Sequence, residues 1–314
     1  MKKILVTGAA GYIGSTLVRE LAEAGHNVFA FDNLFYDQGT LVSGSFIHPN
    51  VKFFKEDVND WSSNLVKAIW ESDIIIPLAA LVGAPLCDKH VEETLNTNYL
   101  WFEQLIEHLT SQLVIYPNTN SGYGSTGDEI CTEETPSSPI SLYAKSKQDT
   151  EDSLMAKHPK SIVFRLATVF GWSPRPRTDL LINNLTKVAK EEGHLTVFDG
   201  HFRRNYIHVQ DIVRAFMFAM ENETDMYSNI YNLGNDSINM TKLDLVKSIC
   251  DIMGSTYEED TSKTDPDKRD YLVSSQKLYN LGFSCEHNLK SGVLEMDSFY
   301  DIMTEADAER CKNY

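Results

Sequence analysis

One glycine-rich segment near the start of the chain constrains the fold more than any other feature. It reads Thr7-Gly8-Ala9-Ala10-Gly11-Tyr12-Ile13-Gly14, and it follows the apolar run KKILV. A segment of helical character comes next and ends at Gly25. Glycines permit a tight turn and a close backbone approach, so a pyrophosphate can rest against the N–H groups at the start of the helix. The GxxGxxG spacing between a strand and a helix therefore predicts a dinucleotide-binding βαβ unit.

Acidic residues end the next two predicted strands. Asp32 closes NVFAFD. A carboxylate at that place accepts hydrogen bonds from both ribose hydroxyls of adenosine and repels a 2′-phosphate, so it favours NAD over NADP. Asp57 closes VKFFKED, where it could meet the adenine amino group or serve only in a structural turn. The sequence thus predicts NAD as the cofactor.

Apolar strand-like runs alternate with helix-length segments through the first half of the chain. The later predicted strands are DIIIPLAA, QLVIYPNT and SIVFRLATVFG, and the helices between them are WSSNLVKAIWE, VEETLNTNYLWFEQLIEHL and YAKSKQDTEDSLMAKH. Continuous apolar strands alternating with helices indicate a parallel sheet covered on both faces. We predict an α/β protein with a Rossmann doubly wound parallel sheet and a smaller C-terminal α/β cap that binds the substrate.

The alternation changes after Gly171, where a PRPR turn, a helix from about 179 to 192 and several short pieces follow. The segments NYIHVQDIVRAFMFAMEN and NIYNLGN again resemble elements of the central sheet. We therefore assign residues 1–172 and about 205–235 to the NAD-binding domain, and about 173–204 and 236–314 to the cap.

A tyrosine and a lysine four residues apart, Tyr143 and Lys147, begin the predicted helix YAKSKQDTEDSLMAKH and share one helix face. A free phenol titrates near pH ~10, but a nearby ammonium and an oxidised nicotinamide would lower its pKa. Tyr143 could then take a proton from a substrate hydroxyl while hydride leaves the same carbon. Lys147 could also bind the nicotinamide ribose. A YxxxK pair alone is often only a surface pair, and the glycine loop upstream favours catalysis here.

Composition excludes several other classes of protein. Lys and Arg number 28 against 45 Asp and Glu, a net charge of −17, so nucleic acid and anionic membranes are poor partners. The longest apolar run, IIIPLAALVGAPL, is too short to span a bilayer. The five cysteines lack CxxC spacing and the nine histidines lack metal-site pairing. They predict reduced thiols in a cytoplasmic protein with no metal site.

On these motifs the chain resembles the extended short-chain dehydrogenases/reductases of the nucleotide-sugar epimerase/dehydratase type. The matching pieces are TGAAGYIG, FDNL, LAALVG, the NTNY region, NTNSGYG, YAKSK, RLATVFG, RRNYIHVQD and KRDYLVSSQKL, in order over nearly the whole length. The resemblance implies a nucleotide-diphosphate sugar as substrate. It also implies a homodimer formed through helices at about 91–109 and 143–157. Leu100, Phe102, Leu105 and Ile106 fit a dimer seam or burial within the monomer.

The resemblance also assigns residues to the site. The catalytic Ser/Thr of the family falls on Thr119, beside Tyr143 and Lys147. The implied cofactor-binding residues are Gly8, Gly11, Tyr12, Ile13, Gly14, Asp32, Asn33, Asp57, Val58, Leu78, Ala79, Ala80, Asn98, Tyr143 and Lys147. The implied substrate-binding residues are Ser121, Arg177, Asn183, Arg204 and Arg269.

Several of these substrate assignments leave alternatives open. Ser121 could instead cap its loop. Arg204 and Arg269 would clamp the diphosphate through bidentate guanidinium geometry or would form surface salt bridges. Arg175 and Arg177 in SPRPRTD could add to this clamp.

Members of the family share a first step, oxidation at sugar C4 to a bound ketone, and differ in the fate of that ketone. The 4,6-dehydratases place an acid and a base just after the catalytic Thr/Ser, where this chain has Asn120 and Ser121. The 3,5-epimerising relatives need a Cys/Lys-type pair, for which Cys87 is the candidate unless it is simply buried. The resemblance therefore favours a 4-epimerase or a 4-dehydrogenase, with a dehydratase or a 3,5-epimerase as the alternative.

Two further hypotheses concern one branch of this family and a protein that is not an enzyme. The segments IIIPLAALVGAPLC, YPNTNSGYG, HFRRNYIHV and DPDKRDYLVS are similar to a branch of the family that includes a GDP-manno-heptose 4-dehydrogenase of bacterial surface-polysaccharide pathways. Thr168 and Asn205 depart from the residues common in sugar-nucleotide epimerases. A non-catalytic NAD-binding sensor on the same fold is the alternative outside the enzymes, and Tyr143, Lys147 and Thr119 argue against it.

Overall fold

The computed structural model of the chain describes residues 1–36, 45–264 and 269–313, so residues 265–268 of the DPDKRDYLVS motif lie outside the described part. The strands are β1 (Lys3–Thr7), β2 (Asn27–Asp32), β3 (Val51–Lys55), β4 (Ile74–Pro77), β5 (Leu113–Thr119), β6 (Ile130–Cys131), β7 (Ser161–Leu166), β8 (Thr168–Phe170), β9 (His194–Val197), β10 (Arg203–Arg204), β11 (Tyr206–His208), β12 (Asn229–Leu233), β13 (Met240–Thr241), β14 (Thr256–Glu259) and β15 (Leu272–Val273). The α-helices are α1 (Tyr12–Glu23), α2 (Ser63–Glu71), α3 (Ala84–Lys89), α4 (Val91–Leu95), α5 (Trp101–His108), α6 (Leu142–Lys157), α7 (Leu181–Glu192), α8 (Val209–Glu221), α9 (Glu223–Met226), α10 (Lys242–Met253), α11 (Gln276–Tyr279), α12 (Leu289–Tyr300) and α13 (Glu305–Arg310).

Seven strands form one sheet in the order β12-β7-β5-β4-β1-β2-β3. All six pairings between neighbours are parallel. The chain builds β2 and β3 on one side of β1 and then crosses to β4 on the other side. The strand order therefore reverses at β1, and the carboxyl ends of β1 and β4 open a crevice. This topology confirms the predicted α/β class with a Rossmann doubly wound sheet.

Helices cover both faces of the sheet, as the continuous apolar strands predict. Ile4 and Val6 of β1 face a core cluster that contains residues of α1 and α8. Leu5, between them, faces a second cluster with residues of α2, α5 and α6. All three side chains are fully buried, and each such burial stabilises the fold by roughly 1.5–3 kcal/mol. Among the described residues, none of the helices has the length and apolar character needed to cross a membrane.

A smaller region packs α7, α10 and α12 around a third apolar cluster. The parallel pair β9–β14 borders it. The helix predicted from about 179 begins at Leu181. Strand β12 returns to the central sheet beside β7, and α8 packs with α1 in the first cluster. The division into domains at 1–172 with about 205–235, against the remainder, stays a prediction.

The helix predicted near 91–109 is interrupted by a π-helical turn, Asn96–Leu100, between α4 and α5. The extra residue per turn is typical of functional sites. Here the turn carries Asn98, whose side chain accepts from the Leu81 nitrogen and donates to the Leu81 carbonyl, both at 2.9 Å. The Thr150 hydroxyl donates to the Asn98 carbonyl at 2.7 Å. Asn98 thus braces the backbone after β4.

A side-chain cap fixes where α6 begins. The Ser141 hydroxyl accepts a hydrogen bond from the Ala144 nitrogen at 3.2 Å, which satisfies one of the N–H groups left open at a helix start. Tyr143 therefore lies in the first turn of α6, and Lys147 lies one turn later on the same face.

Candidate active site

The glycine loop packs too closely for side chains. Gly8 has a φ of +65°, and a Cβ built on it would lie 2.6 Å from the Ala79 nitrogen. A Cβ on Gly14 would lie 2.2 Å from the Gly8 carbonyl oxygen. Only glycine fits either position, and the tight loop lets the N–H groups at the start of α1 face a pyrophosphate. The loop therefore fits a dinucleotide.

The two acidic residues also take defined places. The Asp32 carboxylate accepts hydrogen bonds from the Ala10 nitrogen at 2.9 Å and the Leu34 nitrogen at 2.8 Å, which ties the glycine loop to the end of β2. Asp57 accepts from Asn33 Nδ2 at 2.7 Å, and it also caps the short 3₁₀ helix that follows. Asp57 therefore has the structural role, and its side chain also borders the same cleft as Asp32.

One cleft gathers most of the predicted cofactor residues. It lies over the carboxyl ends of β1, β2 and β4, where a doubly wound sheet binds ligands. Its lining includes Gly8, Gly11, Tyr12, Ile13, Gly14, Asp32, Asn33, Asp57, Val58, Leu78, Ala79 and Ala80. Leu81 also lines this cleft, and the Asn98 side chain is hydrogen-bonded to the backbone of Leu81. Tyr143 and Tyr36 pack against the apolar cluster that contains Leu81, which brings α6 to the cleft.

Three hydroxyl groups meet where β5 ends. The Tyr143 phenol lies close enough to the Thr119 side chain for that side chain to lower the pKa of the phenol. Thr119 Oγ1 donates to Ser121 Oγ at 3.0 Å and accepts from the Ser121 nitrogen at 3.1 Å. Arg269 Nη1 donates to Ser121 Oγ. Thr119 therefore caps this loop, and the Ser121 hydroxyl connects Thr119 to Arg269. Substrate binding by Ser121 stays a prediction.

The charges around Tyr143 differ from the sequence expectation. Burial raises the pKa of the Tyr143 phenol above its ordinary value, while the guanidinium groups of Arg269 and Arg177 lower that pKa. The sequence assigns this lowering to Lys147. In the structure, Lys147 Nζ lies over the ring of Tyr116, 4.1 Å from its centre. The positive charge acting on the phenol therefore comes from the two arginines, because the lysine is turned toward an aromatic face.

Lys147 is almost completely buried, at 5% exposure. Burial lowers the pKa of its ammonium to about 7, and the negative charge of Glu151 opposes that shift. Glu151 lies one turn further along α6 and is fully buried. Lys147 is thus balanced between its charged and neutral forms near neutral pH.

A buried ion pair beneath the catalytic hydroxyls was not anticipated from the sequence. Arg165 on β7 donates to both oxygens of Glu151, at 3.1 and 2.6 Å. Asn118 Nδ2 donates to Glu151 at 2.5 Å, and Asn118 Oδ1 accepts from the Thr119 nitrogen at 2.7 Å. Arg165 also donates to the Tyr123 hydroxyl at 2.9 Å. The pair therefore holds both ends of the 119–123 loop against α6. In the sequence, the feature that could have indicated this pair is the acidic residue four positions after Lys147.

We expect Glu151→Gln to destabilise the fold by about 3–5 kcal/mol, because it leaves the Arg165 guanidinium buried without its carboxylate. Since Glu151 raises the pKa of Lys147, the substitution should lower that pKa further. A protonated lysine is the better donor to ribose hydroxyls, so NADH affinity should fall as pH rises through the Lys147 pKa. The midpoint of this fall should move to lower pH in the variant. Denaturant unfolding and NADH fluorescence titrations across pH measure the two effects.

Glu103→Gln is a matched control. Glu103 on α5 pairs with Lys157 of α6 at 2.6 Å, but Lys157 is exposed, so an ion pair of this kind contributes little. The control should lose much less stability than Glu151→Gln and keep the wild-type midpoint for NADH. An unchanged midpoint in Glu151→Gln would contradict the role given to Glu151.

The structure distinguishes the predicted arginines. Arg177 is held by two bonds to Asp179, at 2.6 and 2.5 Å, and lines the cleft. Arg204 is 5% exposed, stacks on Tyr271 and donates to the carbonyl of Arg203 at 2.8 Å. Its neighbour Arg203 pairs with two aspartates at 2.8 Å. Arg204 is therefore a buried side chain stacked on an aromatic ring.

Asn183 is fully buried at the base of the segment that carries Arg177. It accepts from the Gly171 nitrogen at 3.0 Å and donates to the Arg177 carbonyl at 2.9 Å. Asn183 therefore shapes that segment, and its role in substrate binding stays a prediction.

Two other residues named from the sequence are buried and uncharged. Asn120 is 1% exposed, and within the described residues neither atom of its amide has a hydrogen-bond partner. Cys87 is fully buried, its thiol donates to the Leu81 carbonyl at 3.4 Å, and burial raises its pKa to about 11. Neither group can exchange a proton readily at neutral pH, since an amide does not titrate and the thiol stays protonated. No cluster of metal-ligating residues occurs in the described ranges.

Comparison with known proteins places these features in a family. The model of the NAD dependent epimerase/dehydratase family matches residues 4–234. UDP-glucose 4-epimerase of Lactobacillus helveticus is 27% identical, over 74% of this chain and 76% of the relative. The crystal structure of UDP-glucuronic acid 4-epimerase from Bacillus cereus, in complex with UDP-glucuronic acid and NAD, has a TM-score of 0.83 and 25% identity, covering 96% of this chain and 100% of that one.

A dehydratase is equally similar in structure. The dTDP-glucose 4,6-dehydratase from Bacillus anthracis, in complex with NAD, has a TM-score of 0.82 and 26% identity, covering 99% of this chain and 100% of that one. The glycine loop and Asp32 fit NAD, the cofactor with which these neighbours were crystallised. The chain belongs to the NAD dependent epimerase/dehydratase family, the extended short-chain dehydrogenases/reductases that act on nucleotide sugars with NAD.

Proposed function

We propose that this protein oxidises the C4 hydroxyl of a nucleotide-diphosphate sugar to a ketone and acts as a 4-epimerase or a 4-dehydrogenase. The observation that carries the proposal is the position of Tyr143 beside Thr119 and near the cofactor cleft, where Thr119 belongs to a loop that has no acid or base of its own. Such a site can remove one proton from a sugar hydroxyl, and among the described residues Tyr143 is the acid–base group that lies beside Thr119.

The proposed chemistry follows from the positions of these side chains. Tyr143, as the phenolate, takes the proton of the C4 hydroxyl, and Thr119 orients that hydroxyl by hydrogen bonding. Burial raises the pKa of Tyr143, and the guanidinium groups of Arg269 and Arg177 offset part of that rise; the positive charge of a bound oxidised nicotinamide would favour the phenolate further. When bound, NAD supplies the acceptor for the hydride that leaves C4. Lys147, when protonated, holds a ribose hydroxyl.

The loop after Thr119 argues against a 4,6-dehydratase. Elimination of water needs an acid for the leaving hydroxyl and a base for the C5 proton. The residues at these places are Asn120, a buried amide, and Ser121, whose hydroxyl is bonded to Thr119 and Arg269. The buried and protonated thiol of Cys87 likewise argues against a 3,5-epimerase.

The arginines support a diphosphate substrate. Arg269 reaches the catalytic loop at Ser121, and Arg204 is close enough to the neighbouring Asp270 to lower the pKa of that carboxyl. Their guanidinium groups suit phosphate oxygens. Two anchors of this kind let a protein with a net charge of −17 bind an anion. We propose that Arg204 and Arg269 hold the diphosphate, in a sugar nucleotide of bacterial surface-polysaccharide synthesis.

The setting of the reaction is also a proposal. All five cysteines are free thiols, as in proteins of a reducing compartment, so we place the enzyme in the cytoplasm. The helices α4, α5 and α6 are proposed to form a homodimer. Of the four predicted seam residues, Phe102, Leu105 and Ile106 are buried in the monomer core, and Leu100 is 48% exposed.

We expect Leu95→Glu with Leu100→Glu to convert a dimer into a monomer. The exposed large apolar residues on α4 and the π-helical turn are Val91, Leu95 and Leu100. Two glutamates placed in a dimer interface there would be desolvated without partners. Sedimentation velocity at matched protein concentrations measures the change. Val66→Glu on α2 is the control and should leave the mass unchanged; a monomeric wild type or a dimeric double variant would contradict the proposal.

A panel of UDP-, GDP-, CDP- and dTDP-sugars tests the proposed reaction. C4 stereochemistry followed by NMR should report epimerisation, and NADH absorbance should report a released 4-ketone. The GDP-sugars test the similarity to the GDP-manno-heptose 4-dehydrogenase branch. Turnover of no nucleotide sugar, with NAD still bound, would favour a non-catalytic sensor. A 4-keto-6-deoxy product would instead establish a dehydratase.

A further inference from the structure

Arg175 is a buried cation in the wall of the cofactor cleft. It follows β8, is 3% exposed and lines the same cleft as Gly11 and Asp32. Its backbone nitrogen donates to Ser173 Oγ at 3.2 Å. Within the part of the chain that the structure describes, its Nη2 has no hydrogen-bond partner. A guanidinium nitrogen is therefore buried at a ligand cleft with its donor capacity unused.

The segment around Arg175 is fixed against the glycine loop. The Tyr12 hydroxyl donates to the Gly171 carbonyl at 2.6 Å, and the Ser173 hydroxyl donates to the Tyr12 carbonyl at 2.6 Å. Ser15 and Ser173 share a further hydrogen bond at 3.1 Å. Residues 171–173 are thus attached to the first turn of α1, which places Arg175 beside the glycine loop.

Tyr36 meets Arg175 from the other side of that loop. Tyr36 lies in the segment after β2, four residues beyond Asp32, and it lines the cleft. The Arg175 guanidinium lies 4.8 Å from the centre of the Tyr36 ring. Tyr36 follows β2 whereas Arg175 follows β7 and β8, and β1, which leads into the glycine loop, lies between β2 and β7 in the sheet. We call the Arg175–Tyr36 contact the clasp.

Arg175 and its neighbour Arg177 differ in whether a carboxylate neutralises the guanidinium. Arg177 is neutralised by Asp179, to which it makes two bonds. Burial lowers the pKa of Arg175, and the charge of Arg177 lowers it further. Burying a cation without a hydrogen-bonded anion is costly, whereas a guanidinium facing a phosphate oxygen gains a charge-assisted bond. A diphosphate in the cleft would supply that anion.

We propose that Arg175 donates from Nη2 to a phosphate oxygen of the bound dinucleotide, and that the clasp slows the release of the cofactor. The inference rests on the proposed function for the presence of NAD in this cleft. The dinucleotide is favoured over the sugar nucleotide because Tyr36 follows the strand of Asp32, and because the segment of Arg175 is hydrogen-bonded to the first turn of α1, where a pyrophosphate would rest. Tyr36 holds the plane of the guanidinium.

Arg175→Gln keeps a polar side chain and removes the charge. NADH affinity by fluorescence titration should fall about 10- to 100-fold, the value of a hydrogen bond to a charged group, and stopped-flow dissociation of NADH should become faster. Tyr36→Leu should accelerate dissociation by a smaller factor. Arg175→Lys keeps the positive charge but loses the two-nitrogen geometry of the guanidinium, so NADH affinity should fall by a smaller factor. This variant tests the proposal if Arg175→Gln does not fold, and wild-type NADH affinity in it would then contradict the proposal.

Controls separate the possible sources of the phosphate. UDP and GDP binding by calorimetry should be unchanged in Arg175→Gln, and Arg19→Gln, which breaks an exposed pair with Glu20 on α1, should leave NADH affinity unchanged. Loss of UDP or GDP binding alone would overturn the proposal in favour of the substrate diphosphate. Unchanged affinity for all three ligands would also overturn it. Failure of the wild-type protein to bind NADH would refute the proposed function instead.

Discussion

Tyr143→Phe is expected to lower the rate of sugar oxidation by about 10³-fold, within the range typical of a lost general base. The substitution removes one oxygen, the phenol oxygen whose pKa Arg269, Arg177 and Thr119 lower. The ring stays, so packing against the cluster of Leu81 should persist. Single-turnover formation of NADH with a nucleotide sugar measures the rate, and a fluorescence titration checks that NADH still binds.

A distant tyrosine gives the matched control. Tyr257 is 41% exposed on β14, so Tyr257→Phe should keep the wild-type rate and cofactor affinity. If Tyr143→Phe turned over as fast as the wild type while binding NADH normally, Tyr143 would not be the base. An equal loss of NADH binding would instead point to a role in holding the cofactor.

Gly14→Ala is expected to weaken NADH binding by about 100-fold, the upper part of the 1–3 kcal/mol range for inserting a methyl group into a packed site. The added Cβ would lie 2.2 Å from the Gly8 carbonyl oxygen and 2.9 Å from the Ala9 Cα. Both neighbours are backbone atoms, so the glycine loop itself must move away from α1. NADH fluorescence titration measures the loss of affinity, and a thermal melt measures the loss of stability.

Gly25→Asn tests whether any glycine change near α1 has this effect. Gly25 has a φ of +83°, and a Cβ there would meet nothing within 4 Å. Asparagine tolerates that backbone region, so the control should bind NADH as the wild type does. Wild-type affinity in Gly14→Ala would show that the loop does not face the cofactor.

Local patterns in the sequence were sufficient to predict the fold. The run of alternating apolar strands and helices identified the parallel sheet, and β12 was anticipated from NIYNLGN. The helix near 91–109 was less predictable. Its π-helical turn at Asn96–Leu100 depends on the bonds that Asn98 and Thr150 make to distant backbone. A propensity pattern carries no information on such long-range partners.

The sequence was sufficient to predict site residues whose role follows from a local motif. It was not sufficient for residues whose direction or burial depends on packing against distant parts of the chain. The glycine loop and Asp32 border one cleft, as their spacing indicated. The direction of Lys147 could not be predicted, because Tyr116 on β5 attracts its ammonium. The burial of Asn183 depends on the 171–177 segment. Charge placement around a phenol is a property of the assembled site, and no short motif encodes it.

Transfer of deuterium from C4 tests the central claim most directly. The purified protein is incubated with NAD and a turned-over nucleotide sugar labelled with deuterium at C4, and mass spectrometry locates the label. Oxidation at C4 predicts deuterium on the nicotinamide for a released ketone, or back at C4 of the inverted sugar for an epimerase. Deuterium that stays at C4 of a product oxidised at another carbon would contradict the assignment.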